Sequence, residues 1–121
     1  MRRAISLVLA AAALLGCAGT ALAHAFLDHA QPAVGSTSHG SPPELRLWFT
    51  QALEPAFSSV TVTDSAGKTV DTGGSTVDGK DPKLLKLPLP PLPPGTYKVN
   101  WRVTSVDTHT TSGSFTITIA P

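Results

Sequence analysis

Sulfur is nearly absent from this chain. Its 121 residues include one cysteine, Cys17, and one methionine, Met1. Both fall in an N-terminal stretch built like an export leader. Arg2 and Arg3 supply positive charge, Ile5 to Leu15 an apolar run, and Ala21-Leu22-Ala23 a small-x-small cleavage box. Cleavage after Ala23 leaves a chain with neither thiol nor thioether. That excludes a stapling disulfide, a thiolate-based blue-copper centre and a sulfur-lined Cu(I) store. Charge is also scarce, at 14% of residues, and the net +1 of the whole chain falls to about −1 once Arg2 and Arg3 are lost. A basic nucleic-acid surface and a basic membrane-binding stripe are thereby excluded. No apolar run approaches the roughly 20 residues of a bilayer span, so the mature chain is expected to be exported and not inserted in the membrane.

Two other leader readings fit less well. Leu14-Leu15-Gly16-Cys17 resembles a lipoprotein box, but Leu15 is a poor residue just before the small one. Lipidation at Cys17 would also leave His24 internal. Arg2-Arg3 lacks the usual flanking residues of twin-arginine export. The division expected is a signal peptide over 1–23 and one domain over 24–121, whose 98 residues suffice for one modest core.

The mature chain reads as strands. Leu45, Leu47 and Phe49 alternate with Glu44, Arg46 and Trp48, the period-two pattern of a half-buried strand. Val60 and Val62 alternate with Ser59, Thr61 and Thr63, and Asp64-Ser65-Ala66-Gly67 then signals a turn into Lys68-Thr69-Val70. Tyr97, Val99, Trp101 and Val103 share one face of a longer strand, and Phe115, Ile117 and Ile119 share another. No window has a helical apolar stripe. Short strands punctuated by Gly and Pro predict an all-β, single-domain Greek-key sandwich. Leu87 to Gly95 reads as a stiff proline-rich connection rather than a polyproline ligand. Thr72 to Asp81 reads as a surface loop, as does the segment holding His39.

Cleavage after Ala23 would give a mature terminus whose α-amine and imidazole belong to one residue, His24. Together they can close a chelate ring around a metal ion. Asp107-Thr108-His109 follows the Trp101 strand, and residues i and i+2 of an extended chain project to the same side. That pair could offer one oxygen and one nitrogen. Its parity continues that of the core residues, where an unpaired carboxylate is costly. Either the strand ends or bulges around Thr104 to Val106, or a metal compensates the charge. A strand end at one pole of the sandwich is the favoured reading. Alone, an Asp-x-His tripeptide more often marks a solvated loop. With sulfur gone, a nitrogen and oxygen donor set suits Cu(II), with Zn(II) and Ni(II) weaker fits. His29 is near His24 in sequence but reads as a surface residue. Trp101 reads as core, and Trp48 falls on the outward face without an evident role.

These segments resemble the CopC family of exported copper-binding proteins. The resemblance spans His24-Ala25-Phe26-Leu27, Pro32-Ala33-Val34-Gly35-Ser36 and Leu45-Arg46-Leu47-Trp48-Phe49-Thr50. It is strongest over Leu92 to Val103 and Ser105 to Gly113. It implies an Ig-like or cupredoxin-like β-sandwich in the periplasm that binds one Cu(II) without catalysis. The implied ligands are His24, through its amine and ring, Asp107 and His109. The implied partner is an inner-membrane copper-uptake protein of the CopD type. Two departures stand out. The methionine-rich loop that forms a second, Cu(I) site in some members has no counterpart here. Gln51 stands where many members carry a glutamate near the copper, with Glu54 three residues on. Two rival functions remain at this stage. One is a copper-dependent oxidative enzyme of the histidine-brace type, which normally uses a second equatorial histidine and an open position. The other is a metal-free Ig-like interaction module.

Overall fold

The computed structural model describes residues 25–121. The leader, its cleavage box and His24 lie outside the described residues. Eight strands follow in chain order: β1 (Leu27–Gln31), β2 (Thr37–His39), β3 (Glu44–Phe49), β4 (Ser59–Thr63), β5 (Thr76–Val77), β6 (Leu84–Pro88), β7 (Gly95–Thr104) and β8 (Thr110–Ala120). A single 3₁₀ turn, Pro55–Phe57, lies between β3 and β4. The strands form two four-stranded sheets, ordered β1-β3-β6-β5 and β2-β8-β7-β4. All pairings are antiparallel except β2 with β8. The chain changes sheet at every connection except β5–β6 and β7–β8, which makes the fold a sandwich rather than a meander.

Alternation decides which side chains fill the space between the sheets. Leu45, Leu47 and Phe49 of β3 face Val60 and Val62 of β4 and Val99 and Val103 of β7, all buried. Phe115, Ile117 and Ile119 complete the inner face of the second sheet. Trp101 shares that parity but stays half-buried, its indole edge-on to Phe49 with ring centroids 5.2 Å apart. At the opposite end of β7, the Tyr97 hydroxyl donates to the Pro93 carbonyl at 2.6 Å. This bond satisfies a buried phenol by reaching a few residues back along its own chain, as in the tyrosine corner of sandwich folds.

Several expected loop segments carry more structure than their composition suggests. Proline-rich Leu87 to Gly95 begins inside β6, and Leu85, Leu87, Leu89 and Leu92 are all buried. Every second or third residue there is a leucine that enters the core, a pattern that the prolines mask. Thr72 to Asp81 contains β5, which pairs Val77 with Leu85 along the edge of the first sheet. His39 ends β2 instead of lying in a loop, its register partner being Ala120. Lys68 to Val70, beyond the expected turn, adds only isolated pairing to β4. A bridge from Thr63 to Thr69 and the Val70 N–H to Val62 carbonyl bond at 2.9 Å are what it contributes.

Candidate metal centre

β7 and β8 form one long hairpin, registered from Gly95 opposite Ile119 to Thr104 opposite Thr110. The chain reverses through Ser105 to His109. Thr108 N–H donates to the Ser105 carbonyl at 2.8 Å, and Ser105 N–H to the His109 carbonyl at 2.9 Å. Thr108 has φ +74°, the left-handed region. This is the three-residue hairpin loop in which a turn is followed by one left-handed residue, normally glycine. A β-branched residue there is strained by about 1–3 kcal/mol. The strand therefore ends before Asp107, which resolves the parity conflict in favour of a strand end.

That geometry brings Asp107 and His109 together. His109 Nδ1 lies 3.4 Å from Asp107 Oδ1, and both side chains are about half exposed, at 47% each. The Ser105 hydroxyl donates a hydrogen bond to Asp107 Oδ1. This bond, followed by the neighbouring His109, holds the Asp107 carboxyl below its ordinary range. The carboxylate is thus ready to serve as an anionic donor in neutral solution.

The loop after β3 runs alongside the hairpin. Val106 N–H donates to the Ala52 carbonyl at 3.0 Å, and Glu54 N–H to the Thr104 carbonyl at 2.8 Å. Half-buried Gln51 precedes Ala52 in this loop, so Gln51 and Glu54 both belong to the hairpin's neighbourhood. The start of the described chain is tied to the same end of the molecule. The Ala25 carbonyl accepts from Thr111 Oγ1 at 2.6 Å, and Phe26 exchanges bonds with Thr50 at 3.0 and 2.9 Å. Ala25 is fully buried.

Donors held at about 2.0–2.2 Å from one divalent ion lie about 2.8–3.1 Å apart at right angles. The 3.4 Å separation of Nδ1 and Oδ1 needs only a small closure to meet that. Among the described residues, no three His, Cys, Asp or Glu side chains gather into a metal-binding group. The third expected ligand, His24, lies outside them.

The remaining histidines are placed elsewhere. His29 stacks on Trp48, with centroids 4.4 Å apart and planes within 8°, and its Nδ1 lies 2.7 Å from Asp28 Oδ2. It therefore sits on the outer face of the β1–β3 pair, as expected, and gives Trp48 the role that its sequence parity did not supply. Sequence reading passed over Ser105, Thr108 and Thr111. A serine two residues before the aspartate, in a short connection between two strands, was a usable turn signal.

The CopC domain model matches residues 27–120. This chain belongs to the CopC domain family. Copper resistance protein C of Escherichia coli is 32% identical over 119 residues, covering 93% of this chain and 94% of that protein. The crystal structure of CopC from Methylosinus trichosporium OB3b superposes with a TM-score of 0.77 at 37% identity, covering 81% of this chain and 95% of its own. PcoC of Escherichia coli, described as a methionine-rich copper resistance protein, gives 0.69 at 32% identity, covering 81% and 100%. Family members thus share this two-sheet architecture. Against PcoC the contrast is compositional, since Met1 is the only methionine here.

Proposed function

We propose that this protein is an exported Cu(II) carrier of copper homeostasis or resistance. One ion would be held by the amine and ring of His24, freed by cleavage after Ala23, with Asp107 and His109. The observation that carries this reading is the convergence of Asp107 and His109 on the strained hairpin, at the pole where Ala25 is tethered through Thr111. Ala25 is one peptide bond from His24, so a terminal histidine starts from an anchored neighbour. The names of its relatives, copper resistance proteins, support copper as the ion.

The donor set selects the oxidation state. Three nitrogens and one carboxylate oxygen supply about four equatorial donors for Cu(II), while Cu(I) favours the sulfur that is missing after residue 23. The bound ion would resist reduction, which suits sequestration or handover in the periplasm rather than electron transfer or catalysis. The receiver implied by the family resemblance is an inner-membrane protein of the CopD type. The α-amine titrates near 8 and imidazole near 6.5. Both must be deprotonated to bind, so copper affinity falls steeply in mild acid.

Electron paramagnetic resonance of the copper-loaded mature protein tests the donor set, with a tetragonal signal and coupling to about three nitrogens expected. One glycine added ahead of His24 should remove most of the affinity. Equal affinity with and without that glycine would refute terminal-amine ligation.

A further inference from the structure

Ser105 is one of two buried polar residues among those described, at 1% exposure, in a turn whose neighbours are exposed. Its hydroxyl donates to Asp107 Oδ1 and also lies 3.3 Å from the His109 carbonyl. Its N–H donates to that same carbonyl at 2.9 Å, and its own carbonyl accepts from Thr108 N–H at 2.8 Å. Leu53 bridges it from the neighbouring loop. One buried residue therefore contacts the carboxylate of Asp107, the backbone of His109 and the strained residue between them. A solvent-exposed aspartate on a hairpin turn would otherwise sample several rotamers. A buried hydroxyl is costly unless bonded, and here its donor is spent on one carboxylate oxygen.

We infer that Ser105 is a positioning residue for the metal centre. It clamps Asp107 Oδ1 so that the carboxylate meets the ion in a fixed orientation. The inference rests on the copper reading of Asp107 and His109 and adds to it the residue that preorganises them. Partners that orient a metal ligand typically govern 10- to 100-fold in affinity.

The test is a double-mutant cycle on the mature protein, with Cu(II) as the probe and a competing chelator to report affinity. Ser105→Ala keeps the backbone bonds of the turn and should weaken Cu(II) by about 10- to 100-fold. The paramagnetic resonance parameters should shift as the oxygen donor moves. In the Asp107→Ala background the same substitution should change affinity by less than about twofold, because the group it orients is gone. An equal loss in both backgrounds would show a merely structural effect and overturn the inference. So would an unchanged affinity in Ser105→Ala itself. A metal-free crystal structure of Ser105→Ala supplies a readout independent of copper, and Asp107 should occupy more than one rotamer on an unchanged hairpin. A single retained rotamer overturns the clamp. If Asp107→Ala binds Cu(II) like the parent, the copper reading of Asp107 fails, even if the rotamer result stands.

Discussion

Replacing Gly113 by alanine places a Cβ 2.5 Å from Cζ2 and 2.9 Å from Cε2 of Trp101. Gly113 lies directly opposite Trp101 in the β7–β8 ladder, three rungs from the Thr104–Thr110 pair that leads into the turn. The indole lies across the glycine and meets Phe49 edge-on. An alanine in a strand interior ordinarily gains about 0.5–1 kcal/mol over glycine through chain entropy. Against that stand an overpacking cost of about 1–3 kcal/mol and loss of part of an aromatic pair worth about 0.5–1.5 kcal/mol. The indole is rigid and cannot yield as a flexible chain end would. The net expectation is a destabilisation of about 1–2 kcal/mol. At roughly 4–8 °C per kcal/mol for a domain of this size, Tm should fall by about 5–15 °C. Differential scanning calorimetry measures this, and near-UV circular dichroism reports the displaced indole. In a Trp101→Leu background the same alanine should be neutral or stabilising. A Gly113→Ala protein as stable as the parent, with an unaltered aromatic spectrum, would refute the argument.

Thr108→Gly should stabilise the metal-free protein by about 0.5–1 kcal/mol, since relief of left-handed strain exceeds the added unfolded-state entropy of glycine; urea unfolding measures it, and a loss of stability would contradict the strained turn. Thr111→Val removes the donor to the Ala25 carbonyl while keeping side-chain shape. It should cost about 1 kcal/mol and weaken Cu(II) binding, and unchanged copper affinity would separate the tether from the site. Asp78 accepts from Lys86 Nζ at 2.9 Å and from the N–H groups of Lys80 and Asp81. These bonds, the Lys86 one foremost, lower its pKa from the ordinary 3.8. A depressed folded-state pKa adds stability that is present above 3.8 and lost as pH falls through the lower folded value. Asp78→Asn should therefore flatten the acid limb of the stability curve while leaving Asp107 to contribute its own share. An acid limb identical to the parent's would count against this assignment.

The inward residues of β3, β4, β7 and β8 were legible as apolar alternation because each strand has one buried face, and burial imposes period two on any sequence that keeps it. β6 was not legible, because its leucines are interleaved with prolines that also punctuate loops. β1, β2 and β5 are short or exposed edge strands, held by backbone pairing that imposes little on composition. Asp107 and His109 were visible as candidate donors from their chemistry alone, and the missing sulfur narrowed the ion they could serve. Their convergence at 3.4 Å was a tertiary matter. It depends on Thr108 accepting a left-handed φ, on Ser105 being buried by the neighbouring Leu53 loop, and on Thr111 holding Ala25 at the same pole. Composition determines which atoms are available to a metal ion. Where they meet is decided by hydrogen bonds between segments as far apart in the chain as residues 25 and 111, a relation that no local pattern of residues encodes.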